Sequence, residues 1–306
     1  NWYQYYRTRL LLMKTATGRA FLNMPATYRV GTTKISHSQY SAINGNYFLP
    51  VGVFTENASS TAAGQKFNFY VHLYNSKFYD RDAASVFNNR RATSFGTPLR
   101  LSLSQVGKYY ANKLSGQTDP MTAACQRNYA ILSTDGYWND SSNPTGLTGA
   151  AIGHQDGSPE VRPMLDSLAA SNTLADVAQY YYVTDIRDTT LSNCGSGTSL
   201  CTNDSTMSTD IGTPGRQNMV TYTLGLGLSG QLAFDANYYQ DGANAPTYQG
   251  LKAGTVNWPI PSADKPSTID DLWHAAINGR GTYYSAADPE QLKKGLTDFI
   301  ITATQC

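Results

Sequence analysis

Tyr129-Ala130-Ile131-Leu132-Ser133-Thr134-Asp135-Gly136 is a short apolar run that stops at an Asp-Gly pair. The run is the right length for a buried strand, and Asp-Gly ends strands because both residues tolerate turn geometry. A second such run, Val220-Thr221-Tyr222-Thr223-Leu224-Gly225-Leu226-Gly227, lies far downstream. Between them, Thr173 to about Thr184 carries helical periodicity. Short apolar strands separated by helices predict a largely parallel sheet covered on both faces, that is, an α/β fold.

Working outward, Gly96-Thr97-Pro98-Leu99 opens a helix through about Asn112, with Pro98 where a first-turn proline costs no hydrogen bond. Residues 268–278, Gly281–Ser285 and Pro289–Thr302 read as helix, short strand and helix. Upstream, Trp2–Leu22 reads as a helix and Tyr28–Ile35 as a strand rich in β-branched residues. Phe67–Leu73 alternates apolar and polar residues and reads as another strand, and residues 78–91 read as a helix. Three polar insertions are expected, at about 37–65, 188–216 and 229–267; the first holds an apolar arm, Tyr47–Phe54, with the look of a small hairpin.

The 306 residues carry a net charge of +1, which excludes the strong basic field of a general nucleic-acid binder. Charged residues make up 15%, against roughly 25% in an average soluble protein. Neutral polar residues and 22 tyrosines replace them, a composition that points to export. With 41% apolar residues the chain can build a core, and no apolar run is long enough to span a bilayer. Cys194 and Cys201 flank a Gly/Ser-rich stretch that a disulfide would staple; no histidine lies near enough to make the pair a zinc site. Cys125 and Cys306 form a candidate second bridge.

In a parallel sheet, ligands bind beyond the carboxyl ends of the strands. Two features fall there. Thr134-Asp135-Gly136 reads either as a plain strand-ending turn or as a ligand-bearing loop, and Thr97 either as a helix N-cap or as a ligand. The histidines, His37, His72, His154 and His274, show no metal spacing, and His274 reads as a packed residue. Asp270 and Asp271 read as first-turn acids suited to the helix dipole, with Thr268 as N-cap. Tyr180-Tyr181-Tyr182 cannot all face a core, so at least one is expected at the surface. With Tyr137, Trp138, Tyr238 and Tyr239 they could furnish an aromatic binding surface, or simply pack the insertions. No glycine-rich phosphate loop follows a strand, and no pair of acids suggests a glycosidase.

The order of elements, together with Leu132-Ser133-Thr134-Asp135-Gly136, Tyr222-Thr223-Leu224-Gly225-Leu226-Gly227 and Leu272-Trp273-His274-Ala275-Ala276, resembles a von Willebrand factor A-type domain. More specific segments resemble PilY-type proteins of bacterial type IV pili: Asn1–Arg9 (NWYQYYRTR), Tyr129–Asn139 (YAILSTDGYWN), Asn172–Arg187 (NTLADVAQYYYVTDIR) and Ser267–Gly281 (STIDDLWHAAINGRG). The resemblance implies one A-type domain over residues 1–306, with its insertions, in a secreted protein of the bacterial cell surface at the pilus tip. It implies a non-enzymatic role in pilus biogenesis and in adhesion to surfaces or host cells. Implied partners are minor pilins, a surface or host-cell ligand, and a C-terminal domain of the same protein; no nucleic acid and no membrane span are implied.

The family's domain can carry a metal-ion-dependent adhesion site for Mg²⁺ or Ca²⁺. By position, Thr97 matches its threonine and Asp135 its last aspartate, with Ser133 and Thr134 as weaker outer candidates. The site's Asp-x-Ser-x-Ser loop is absent; Asp204-Ser205-Thr206-Met207-Ser208 is nearest, at the wrong spacing. That loop follows the domain's central first strand, so the first strand is expected upstream of Asn1. The alternative function is a structural tip or mechanosensing element without metal-dependent binding, and a secreted hydrolase is the remaining class.

Overall fold

The computed structural model describes residues 8–35, 48–56, 64–75, 96–157, 161–168, 170–195, 200–201, 216–239, 244–286 and 289–304. The expected helix at 78–91, Tyr47, Asp204 to Ser208 and Cys306 lie outside these. The chain divides into two compact units, Asn1–Thr97 with Pro289–Cys306, and Pro98–Asp288.

In the first unit, α1 (Arg9–Ala20) is capped by Thr8, whose hydroxyl accepts from Leu11 N at 3.2 Å. Strands β1 (Arg29–Thr33) and β2 (Phe48–Val53) pair antiparallel, with a register break between Val30 and Thr32. The apolar arm is therefore the partner of β1 and not a hairpin of its own. Helix α2 (Gln65–Asn75) replaces the strand expected at 67–73. Phe69 turns inward while Phe67 and Val71, four residues apart, both face outward, which is helical and not alternating. Phe21, Phe54 and Phe69 form the core, with the Phe21 and Phe69 rings stacked at 4.9 Å. Gln65 Nε2 donates to the Val30 and Pro50 carbonyls at 2.7 and 2.6 Å, filling the irregular stretch of the ladder. The last helix of the chain, Pro289–Thr304, packs on α1.

The second unit holds α3 (Leu99–Tyr110), β3 (Asn128–Thr134), α4 (Leu174–Val183), β4 (Met219–Leu226), α5 (Pro246–Ala253), α6 (Ser267–Asn278) and β5 (Arg280–Ala286); the last helix of the chain is thus α7. β3, β4 and β5 form a parallel sheet in that order, so among the described residues β3 is an edge strand. Helices α3, α4 and α6 lie against these strands and against one another. The described strands thus make a mixed α/β fold with two separate sheets, two-stranded and three-stranded, in place of one continuous sheet.

Two local choices fix the helix layer. α4 starts with a capping box: Thr173 Oγ1 accepts from Asp176 N, and Asp176 accepts from Thr173 N at 2.8 Å. Gly107 lets α3 meet α4 closely, since a Cβ there would sit 2.3 Å from the Tyr181 ring. Tyr181 and Tyr182 are buried and Tyr180 is half-buried, its hydroxyl accepting from Leu147 N, so none of the three reaches the open surface as expected.

α6 is buried along its whole length. Its N-cap is Pro266; Thr268 instead donates its hydroxyl to the Lys265 carbonyl. Asp270 and Asp271 do more than complement a dipole. Asp271 accepts from Leu174 N, Ala175 N and Trp138 Nε1 at 2.9–3.0 Å, which ties α6 to the start of α4 and to the loop after β3. Asp270 accepts from Gln231 N and Leu232 N, fixing the loop after β4. Cys194 and Cys201 form the expected disulfide. Asn193, beside it, donates to the Ala111 and Ile186 carbonyls, and Arg187 bridges the Asn193 carbonyl and Asp119.

Burial pushes the Asp271 pKa up to about 7 despite its three N–H donors. The folded chain therefore holds this proton more tightly than the unfolded chain does. The stability this group contributes is fully present below about pH 4 and is lost as pH rises through about 7. Asp271→Ala should lower stability by about 3 kcal/mol by orphaning buried donors, and should shrink the loss of stability between these pH values, as read by urea denaturation. Replacing both Cys194 and Cys201 by serine should cost about 2.5 kcal/mol in the same assay, the loop-closure entropy of so short a ring.

Candidate functional site

The sheet's carboxyl edge is organised by the loop after β3. Thr134 closes it, its hydroxyl accepting from Gly136 N and donating to the Gly136 carbonyl. Asp135 projects from this turn and is exposed, while Thr134 is buried and Ser133 half-buried. Farther along, Trp138 descends to Asp271, and Asp140 reaches the first turn of α3. There Asp140 Oδ2 accepts from Arg100 N at 2.9 Å and from Arg100 Nε at 3.1 Å. The guanidinium also donates to the Asp140 and Asn172 carbonyls and lies 4.2 Å from the Trp138 ring centroid. Burial raises the Asp140 pKa, with the Arg100 contacts opposing it.

This clamp joins the start of α3 to the turn that carries Asp135. Thr97 is half-buried and directly precedes Pro98, which occupies the N-cap and makes no side-chain cap. The cap comes instead from Asp140, so the N-cap reading of Thr97 does not hold. Cys125 is exposed, and its expected partner Cys306 lies outside the described residues.

The expected aromatic surface is largely core. Trp138 and Tyr238 are buried, and Tyr238 joins Phe234, Tyr248 and Trp273 in one cluster, leaving Tyr239 exposed. Beside this cluster, beyond β4 and β5, lies a cavity of about 220 Å³ lined by Leu228, Ser229, Phe234, Asp270, Trp273 and Tyr283. Its carboxylate is committed to two backbone N–H groups, so the walls it offers are chiefly apolar. His274 is packed as expected: its ring stacks on Trp258 at 4.4 Å, and burial lowers its pKa to about 4.

The histidines show no metal spacing in sequence, but the fold brings His154 beside two acids. One ring nitrogen of His154 and one carboxylate oxygen each from Asp156 and Asp166 lie within 4.8 Å of one another. Sequence spacing hid this group, because Asp166 comes from a separate turn. The sequence signals are the pair His154 and Asp156, two residues apart, and the capping residue Asp176 of α4, whose second oxygen accepts from Gln155 N at 2.7 Å and so places the His154 loop.

No helix among the described residues is long and apolar enough to cross a membrane. No protein-family profile matches the chain, and no solved structure matches it. Curated proteins do. The type IV pilus biogenesis factor PilY1 of Pseudomonas aeruginosa strain PAK is 30% identical over 327 residues, covering 98% of this chain and 25% of that protein. PilY1 of strain UCBPP-PA14 is 32% identical over 308 residues, covering 95% of this chain and 24% of that protein. The chain thus spans about a quarter of the length of the curated relatives it matches. Along nearly its whole length it is similar to one stretch of these type IV pilus biogenesis factors, a likeness that supports a PilY-type protein.

Proposed function

We propose that this chain is the von Willebrand A-type region of a type IV pilus biogenesis factor, exported to the cell surface, where it works at the pilus tip without enzymatic activity. The observation that carries the reading is the 30% identity over 98% of the chain. The parallel order β3-β4-β5, with helices between successive strands, agrees with it. The buried network under the carboxyl edge is built to hold loops still, through Asp271, Asp140 and Arg100. Rigid support under an exposed loop suits a surface that binds a partner.

In this reading the edge bearing Asp135 is the adhesive face. An exposed carboxylate and a threonine hydroxyl are hard oxygen donors, the kind that Mg²⁺ or Ca²⁺ takes. Asp135 and Thr97 would hold the cation, and the remaining oxygens would come from a segment preceding Asn1 and from the partner. The cation supplies an electrophilic centre that a partner's carboxylate can complete. The chain's own part is to fix the Asp135 turn through the Thr134 hydroxyl and the start of α3 through Asp140. The partners proposed are minor pilins at the tip and a ligand on the contacted surface.

The preceding segment would also give β3 a neighbour. Among the described residues β3 is an edge strand, although its residues alternate between buried and half-buried, as in a strand covered on both faces. We assign the place beside β3 to a parallel strand from upstream.

Asp135→Ala in the pilus protein should abolish cation-dependent attachment while leaving the fold intact by circular dichroism. Attachment that is equal with and without chelator, in both proteins, would instead assign the region a structural role at the tip. Extending the chain upstream should slow amide exchange along β3 by about tenfold or more; unchanged exchange there would dismiss the upstream strand.

A further inference from the structure

In front of the first turn of α4, two stretches of the second unit converge on His154, Asp156 and Asp166. Both are held from behind. On the first, Gly153 N donates to Asn172 Oδ1 at 2.8 Å, Asn172 N donates back to the Gly153 carbonyl at 2.9 Å, and Gln155 N donates to Asp176. On the second, Trp258 Nε1 donates to the Pro163 carbonyl at 2.7 Å, and the Met164 carbonyl lies 2.7 Å from His274 Nε2. The loops meet where Asp166 N donates to Asp156 Oδ2 at 2.8 Å, and Asp166 Oδ1 accepts from Ala170 N at 3.2 Å.

His154 Nδ1 lies 2.8 Å from the Ala170 carbonyl oxygen. A carbonyl can only accept, so Nδ1 carries a proton, and Nε2 is the nitrogen left to offer a lone pair to a metal. That is how metal-binding histidines are oriented, with the far nitrogen fixed by a backbone carbonyl. The charge around it is one-sided. Ion pairs of the described residues join Glu56, Asp119, Asp140 and Asp298 to lysine or arginine, whereas Asp156 and Asp166 face each other and His154. Arg162, on the second loop, points to the Leu251 carbonyl and Asn257 instead. Two carboxylates in contact repel unless a proton or a cation lies between them.

We propose that His154, Asp156 and Asp166 form a binding site for a divalent transition-metal ion, with Zn²⁺ as its best-fitting occupant, independent of any cation at Asp135. Donors about 2.0–2.2 Å from a shared tetrahedral ion stand about 3.4 Å apart, so three atoms already within 4.8 Å of one another need only close in slightly to share one. The donor set decides the class of metal. One imidazole with two carboxylates suits Zn²⁺, whereas Ca²⁺ and Mg²⁺ prefer all-oxygen shells. Three protein ligands leave positions for water or for a side chain of a partner.

Protonation is consistent with this. Burial, then the hydrogen bond to Asp166 and its charge, push the Asp156 pKa up to about 7. Partial burial pulls the His154 pKa down, but the Ala170 carbonyl and the Asp156, Asp176 and Asp166 carboxylates outweigh it and raise the value. Near neutral pH the group therefore holds protons that a metal ion would displace. An ion here would cross-link the two loops in front of α4.

The test is calorimetric titration of the purified whole chain with Zn²⁺, in excess Mg²⁺ so that a hard-cation site is filled. One Zn²⁺ per chain is expected. His154→Ala and Asp166→Asn should each weaken it by about tenfold or more, and Asp135→Ala should leave it unchanged. No Zn²⁺ binding, binding untouched by both substitutions, or binding lost in Asp135→Ala would each overturn the site. Should a substitution unfold the chain, histidine-ring resonances of the unaltered protein decide. Zn²⁺ must shift the His154 ring signals and spare those of the buried His274; the reverse, or no shift, overturns the site. None of these outcomes depends on pilus function, so the proposal fails or stands apart from the adhesion reading.

Discussion

A single buried carboxylate governs the second unit. Asp271 sits where the first turn of α4, the loop after β3 and the helix α6 meet, and its two oxygens take three N–H groups that would otherwise be orphaned. Apolar contact between these elements is non-directional and would not by itself fix their relative placement. A charge-bearing acceptor converts that loose adhesion into one geometry. The cost is desolvation, visible in the raised pKa, and the return is specificity of arrangement.

The same logic recurs around the carboxyl edge. Asp270 holds the loop after β4, Asp140 the start of α3, and Asp176 the loop before α4. A chain with only 15% charged residues places several of its acids inside, as acceptors for backbone N–H groups. Few charges are then left for the surface, so neutral polar groups and tyrosines must keep it wet. The composition that points to export and the architecture of the loops are two sides of one allocation.

Much of this frame can be read from residues in order. β3 and β4 are apolar runs with clear ends, and α3, α4 and α6 carry strong periodicity, so local signal and final structure agree there. α2 misleads because its outward face also carries Phe67 and Val71; with Phe69 and Leu73 they imitate a strand's alternation. The tyrosine triplet misleads differently: a helix buried on several sides has no face to spare. What sequence reading misses altogether is long-range acceptance. Asp271 finds its donors 96 and 97 positions away, and Asp270 at 38 and 39. His154 and Asp166 are likewise brought together by anchors on a third segment, which no spacing rule contains.

The parallel ladder has a kinetic corollary. Asn128 pairs with Met219, and Thr221 with Arg280, so each strand waits for about sixty to ninety residues of intervening chain before its neighbour exists. The entropy of closing such loops is spent before any ladder bond rewards it, which makes assembly of this sheet slow. The disulfide between Cys194 and Cys201 shortens these closures little, because it takes only a small ring out of one crossover. Until β4 arrives, β3 is an apolar strand with bare edges, the kind of segment that recruits other chains. A protein of this design depends on being kept apart from its own copies while it folds.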